Sequence, residues 1–169
     1  NNMKFSEDIS KNLNRKVLCE NDANCFALSE SYDGSAKHYK IVFGIILGSG
    51  CGGGLVIDKK ILVGPNNFAG EWGHIPLYSG DSENNIEEYI SGKGLERLYF
   101  KKFKKKCTAK EIFSKSRNNS TEEKKFISEF LDKLGLSLSF LINTIDPDAI
   151  VFGGGVSNEI DSLEEVKDI

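Results

Sequence analysis

Two apolar, β-branched runs flank a glycine cluster in Ile41-Val-Phe-Gly-Ile-Ile-Leu-Gly-Ser-Gly-Cys-Gly-Gly-Gly-Leu-Val-Ile57. Each run has strand length and composition, and glycine between two such runs reads as a hairpin. A plain hairpin turn needs one or two glycines, which supply positive φ without a Cβ clash. Five of the seven residues from Gly48 to Gly54 are glycine, so a whole surface lacks side chains and the backbone can approach a partner closely. N–H groups converging from such a turn form an anion nest, and Ser49 adds a hydroxyl donor. A flexible or bulged turn is the alternative reading; phosphate is the better one.

The rest of the composition narrows the partners. A chain of 169 residues, 39% hydrophobic and 28% charged, can build one substantial core or one domain with part of another. The net charge of -3 gives no reason to expect nucleic acid or an anionic membrane. No apolar run reaches the roughly 18 residues of a membrane span, and no signal peptide opens the sequence. Cys19, Cys25, Cys51 and Cys107 show no metal spacing and fit reduced thiols of a cytoplasmic protein.

Taken in order, residues 4–14 read as a helix with Phe5, Ile9 and Leu13 on one side. Arg15 to Glu20 reads as a short strand. Ala23 to Ser31 reads as a helix with Phe26 and Leu28 buried and Cys25 facing the core, capped by Asn21 or Asp22. Asp22 has a second reading, as a carboxylate at a strand's carboxyl end beside a helix N-terminus, where α/β folds hold ligands. After the hairpin, Asp58-Lys59-Lys60 turns into a strand Ile61-Leu62-Val63, completing a meander. Glu71 and His74 lie in a glycine-rich loop three residues apart, so one turn would aim both the same way. Ile86 to Phe103 reads as one helix weakened by Gly92 and Gly94, ending in the basic, solvated run Lys101–Lys106. A short helix spans 108–117 with a Thr108/Glu111 capping box. Ser120 caps a long helix to about Ile145, striped with Phe126, Ile127, Phe130, Leu131, Leu134, Leu138 and Leu141. Asp146-Pro147 stops it. Ala149–Phe152 is a buried strand, and Gly153-Gly154-Gly155 is a second glycine turn leading to a helix, again fit for an anion or nucleotide.

Four pieces together, Glu20-Asn-Asp-Ala-Asn24, Gly48-Ser-Gly-Cys-Gly-Gly-Gly54, Gly70-Glu-Trp-Gly-His74 and Asp146-Pro-Asp-Ala-Ile-Val-Phe-Gly-Gly-Gly155, resemble the ROK family of sugar kinases, and the stretch Asn21-Asp-Ala-Asn-Cys-Phe-Ala-Leu-Ser-Glu30 looks especially like its bacterial N-acetylglucosamine kinases. The resemblance runs from about Asn12 to Asn158. It implies an α/β, actin/hexokinase-like (ribonuclease H-like) C-terminal lobe with a three-stranded meander, a mixed sheet and flanking helices. Residues 1–20 would end an N-terminal lobe, 21–158 form the C-terminal lobe, and 159–169 begin a truncated helix.

The resemblance also implies a reaction, ATP-dependent phosphorylation of a hexose or N-acetylhexosamine at its 6-hydroxyl, in a cytoplasmic homodimer using ATP and Mg²⁺. Asp22 matches the catalytic base, and Asn21, Glu71, His74 and Glu87 match sugar contacts. Gly48, Ser49 and Gly50 match a phosphate loop, and Gly153, Gly154 and Gly155 match the turn against the adenosine. An Asp-x-Gly-Gly-Thr phosphate loop is absent from the sequence, so these residues alone are expected to be inactive. The family's cysteine-rich zinc motif is also absent between His74 and Glu87, and no zinc is expected. The competing expectations are a sugar-binding domain of a ROK-type repressor, and an inactive remnant with a role in assembly.

Overall fold

The computed structural model describes residues 5–78, 85–118 and 121–160. Its centre is a mixed sheet in the order β3-β2-β1-β4, built from β1 (Ile41–Leu47), β2 (Cys51–Ile57), β3 (Lys60–Ile61) and β4 (Ala149–Gly153). β2 runs antiparallel to β1 and β3, and β4 runs parallel to β1. The second turn of the meander has positive φ at both Asp58 (48°) and Lys59 (63°), the geometry a two-residue hairpin needs. Among the described residues there are six α-helices: α1 (Phe5–Leu13), α2 (Asp22–Tyr32), α3 (Ile86–Ile90), α4 (Gly92–Phe103), α5 (Ala109–Arg117) and α6 (Thr121–Ile145).

β1 is an unbroken apolar run because both of its faces are covered. On one face Phe43, Ile45, Leu47 and Leu55 join the main core with α3 to α6, and the predicted stripe of α6 is buried throughout. Tyr99 of α4 sits in this core against Phe103 and Phe126 and donates its hydroxyl to Glu123 at 2.9 Å. Burial, and then that carboxylate, pushes its phenol up to about 12.

On the other face α2 lies very close to the sheet. A Cβ on Gly44 would stand 2.7 Å from the Ala27 Cβ, and one on Gly54 only 2.5 Å from the Ala23 carbonyl oxygen. A floor without side chains selects small residues above it. The buried side of α2 is therefore Ala23, Asn24, Ala27 and Ser31. Phe26 and Leu28, expected there, are half-buried, and Cys25 is exposed.

The structure revises other expectations. Arg15 to Glu20 forms no strand, since no neighbouring strand among the described residues offers it a ladder, and Leu18 is exposed. Gly52 to Gly54 continue β2, leaving only Gly48, Ser49 and Gly50 as the turn. β3 is Lys60–Ile61 rather than Ile61 to Val63, although Leu62 still donates to the Leu55 carbonyl at 2.8 Å. Ile86 to Phe103 is two helices, broken at Ser91, whose hydroxyl accepts the Gly94 N–H at 3.0 Å. β4 is half-buried, as an edge strand is. Gly153 to Gly155 lead into a 3-10 turn, Ser157–Glu159, and most of the helix expected after them lies outside the described residues.

Other expectations hold. The Thr108/Glu111 capping box opens α5, and the basic run closing α4 is exposed. Helix α1 lies where it is expected but buries none of its residues. Ser120, the segment 79–84 and residues 161–169 lie outside the described residues. Among the described residues no helix is long and apolar enough to cross a membrane.

Gly54→Ala should destabilise the protein by about 1–3 kcal/mol, since the added methyl meets rigid helix backbone. At Gly48 an added Cβ meets nothing within 4 Å, so Gly48→Ala should stay within about 0.5 kcal/mol of wild type. Urea unfolding of the two variants side by side checks both; equal midpoints would show that α2 does not depend on the bare floor.

Candidate active site

β1 and β4 are parallel with Ile46 opposite Gly153, so both glycine turns leave the same edge of the sheet. Gly154, at φ 95°, lies so close that a Cβ there would meet the Leu47 carbonyl oxygen at 2.4 Å, and Val156 donates its N–H to that same oxygen at 2.9 Å. The first turn is fixed from below by the α3–α4 break. Gly92 donates its N–H to the Gly48 carbonyl at 2.8 Å, and Lys93 to the Ser49 carbonyl at 3.2 Å. Glu87 of α3 accepts the Cys51 N–H at 2.8 Å through Oε2. Gly48 closes the turn by donating to the Gly50 carbonyl at 3.0 Å. The N–H groups of Ser49 and Gly50 then have no protein acceptor among the described residues. Two successive amides are thus left available, as an anion nest would need.

The side chains follow. Asn21 is the N-cap of α2, its Oδ1 accepting the N–H groups of Ala23 at 2.9 Å and Asn24 at 3.2 Å. Asp22 is thus the first residue of the helix, not its cap, and it keeps one carboxylate oxygen beyond the Oδ1 that also accepts from Ala23. Glu71 precedes a 3-10 turn, Trp72–His74, which aims Glu71 and His74 the same way, as their spacing predicts. Their Oε2 and Nε2 come to 3.6 Å. The indole of Trp72 is buried against Phe43 and holds this turn to the sheet.

Asp22, Glu71, His74, Glu87, Gly48, Ser49 and Gly50 all line one cleft of about 430 Å³, with Ile46, Cys51 and Gly52. Asn21 does not. It opens on a neighbouring cavity of about 410 Å³ that shares Glu71 with the cleft. Gly153, Gly154 and Gly155 stand at the same sheet edge without lining the cleft. A larger cavity of about 580 Å³ between α5 and α6 holds none of the expected residues, and its Arg117 and Glu159 neutralise each other at 2.6 Å. Among the described residues no group of three His, Cys, Asp or Glu side chains is placed to hold a metal ion.

Sequence reasoning missed the part played by Ser91, Gly92 and Lys93. The signal was present, a serine of N-cap type before Gly92 in the middle of a predicted helix. Helix N-termini carry partial positive charge, and α4 points its own at the underside of the turn.

Burial, and then the nearby Glu87 carboxylate, pushes the Cys51 thiol well up, so it stays protonated in the cleft wall. Thiolates, not thiols, react with alkylating agents. Iodoacetamide at pH 8 should therefore leave Cys51 intact until urea unfolds the protein, as peptide mass spectrometry would show. Modification of Cys51 in the native state would refute this placement.

Comparison with known proteins bears on the family and the fold. The sequence profile of the ROK family matches residues 1–169. The N-acetyl-D-glucosamine kinase of Pectobacterium carotovorum is 39% identical over 89% of this chain and 55% of its own length, and that of Histophilus somni 37% identical over 93% and 57%. The crystal structure of a ROK family glucokinase from Streptomyces griseus in complex with glucose and AMPPNP superposes with a TM-score of 0.81 at 26% identity, over 96% of this chain and 60% of that one. The chain spans a little over half the length of the curated relatives it matches.

Proposed function

The chain belongs to the ROK family, and we propose that it forms the part of an ATP-dependent kinase that phosphorylates a hexose or N-acetylhexosamine, N-acetylglucosamine first among them, at the 6-hydroxyl. One observation carries this reading: a carboxylate at a helix start, Asp22, shares a cleft with a turn that has two free amides, Ser49 and Gly50. Relatives named as N-acetyl-D-glucosamine kinases support the choice of sugar.

In this reading Asp22 is the general base. It accepts the proton of the sugar hydroxyl as that oxygen attacks the γ-phosphorus. Ser49 and Gly50 hold the transferred phosphoryl group through backbone N–H, Gly48 shapes the turn by closing it onto the Gly50 carbonyl, and Gly153 to Gly155 flank the adenosine. Glu71, His74 and Glu87 hold hydroxyls of the sugar, with Asn21 presenting its amide nitrogen from the adjoining cavity. ATP supplies the phosphoryl group. Mg²⁺ would arrive with the nucleotide and would offset the charge of its phosphates.

Positioning and neutralisation must come from both sides of the γ-phosphate. The Asp-x-Gly-Gly-Thr loop occurs nowhere in the 169 residues, so by themselves they are proposed to be inactive. Cytoplasmic location and a homodimeric assembly belong to the same proposal, the first supported by four free thiols.

In the full-length protein, Asp22→Asn should lower kcat by roughly 10²–10⁴ while leaving sugar affinity nearly unchanged, because the amide keeps size and hydrogen bonding but takes no proton. A coupled ATPase assay with calorimetry separates the two effects. A kcat within a few-fold of wild type would leave Asp22 a helix-start residue only.

Glu71→Gln and His74→Ala should act on binding instead. Their side chains are 44% and 70% exposed, so the low end of the cost of an unmade hydrogen bond applies, about 1 kcal/mol, or roughly five-fold in Kd. Titration with N-acetylglucosamine and glucose reads this directly, and unchanged affinity for both sugars would take the pair out of the site.

A further inference from the structure

The cleft that holds Asp22, Glu71 and Glu87 has no lysine or arginine in its wall among the described residues. Three carboxylates and the phosphates of a nucleotide call for a full positive charge nearby, and backbone amides carry only partial ones. The residues that open α4 are bonded to the underside of the turn Gly48–Gly50, and the second of them is Lys93.

Gly92 stands between the two glycine turns. A Cβ there would meet the Gly48 carbonyl oxygen at 2.8 Å and the Val156 Cγ2 at 3.2 Å, and Val156 follows directly on Gly153–Gly155. Lys93 comes next, with its N–H on the Ser49 carbonyl at 3.2 Å. With glycine on either side, it is the first residue of α4 to carry a side chain. Cα–Cβ bonds of a helix tilt toward its N-terminus, so that side chain leaves α4 leaning toward the turn. Lys93 is exposed, and among the described residues its ammonium has no ion-pair or hydrogen-bond partner. Arg97, one turn further along α4, is already tied to the Glu88 carboxylate.

We propose that Lys93 binds the β-phosphate of ATP, an inference that rests on the kinase reading above. In that reading Ser49 and Gly50 take the γ-phosphate and Gly153 to Gly155 flank the adenosine. The phosphate between them then falls beside the junction that Gly92 fills, within reach of a four-carbon lysine stem. As the sugar oxygen forms its bond to the γ-phosphorus, the bond from that phosphorus to the bridging oxygen breaks. The electron pair of the broken bond stays on the departing ADP, whose β-phosphate gains negative charge. Lys93 meets that charge with a whole positive one. It gives up no proton, because the hydroxyl proton goes to Asp22. The attraction strengthens as the charge develops, so Lys93 serves turnover as well as binding.

The test uses the full-length protein and two substitutions. Lys93→Met keeps the length of the stem without its charge, and Lys93→Arg keeps the charge. Calorimetry should show ADP bound about tenfold more weakly by Lys93→Met, with adenosine and N-acetylglucosamine bound as by wild type. In the kinase assay kcat/KM for ATP should fall roughly tenfold or more, and Lys93→Arg should recover most of both losses. Because Lys93 is exposed, neither substitution threatens folding. An ADP affinity unchanged in Lys93→Met would overturn the assignment and leave the kinase reading standing. A parallel loss of adenosine and ADP would overturn it too, since that marks a deformed turn rather than a lost charge. A wild type that binds no adenine nucleotide would remove the assignment and the kinase reading together.

Discussion

Three consecutive glycines in β2 decide where everything else in the site stands. Successive residues of a strand face opposite sides of a sheet. Gly52 and Gly54 therefore face α2, and Gly53 faces the loop before the Trp72–His74 turn. On the first side Ala23 seats directly on the strand, with its Cβ 3.1 Å from where a side chain of Gly52 would begin. On the second, a Cβ on Gly53 would meet the Gly70 carbonyl oxygen at 2.5 Å and the Trp72 ring at 2.6 Å. Asp22 is the neighbour of Ala23, and Glu71 lies between Gly70 and Trp72. The two carboxylates thus reach one cleft from opposite faces of a single strand because that strand carries no side chains there.

The turn at the end of this strand is held by backbone, not by side-chain bulk. Its carbonyls accept from Gly92 and Lys93, and Glu87 draws the Cys51 N–H the other way. The α3–α4 break at Ser91 is what makes this possible, since an unbroken helix would spend the Gly92 and Lys93 amides on its own carbonyls. Glu87 lines the cleft as well. In the proposed reaction it would touch the sugar and the phosphate turn at once, so a sugar that engages Glu87 also presses on the geometry of Gly50 and Cys51.

Much of this was legible in the residues. The meander, the stripe on α6, the Thr108 capping box and the Glu71/His74 spacing follow from local pattern, and local pattern is what sequence carries best. The cleft members came from a resemblance, and seven of them do line one cleft. What failed to show were tertiary effects. Gly52 to Gly54 look like turn residues, because nothing local tells a glycine that bends the chain from one that admits a helix. Phe26 and Leu28 look like core positions until the bare floor beneath α2 is known. Ser91 could be read as a local cap, but the hold of Gly92 on Gly48, more than forty positions away, could not. Arg15 to Glu20 has strand composition, but composition supplies no neighbouring strand.

The charges of the cleft set a further requirement. Asp22, Glu71 and Glu87 surround a space proposed to take the γ-phosphate of ATP, which is itself strongly negative. Like charges at close range in a partly desolvated cleft repel strongly. The arrangement is workable only if the two kinds of group are kept apart. The amides of Ser49 and Gly50, backed by the positive end of α4, gather partial positive charge at the turn. Of the three carboxylates, Glu87 is neutralised in part by the Cys51 N–H, and Glu71 faces His74. Asp22 is left to accept the hydroxyl proton in the proposed reaction, and that transfer neutralises its carboxylate as the phosphoryl group arrives, the total charge of the cleft staying the same. Base catalysis and the loss of that carboxylate's charge would then be the same event.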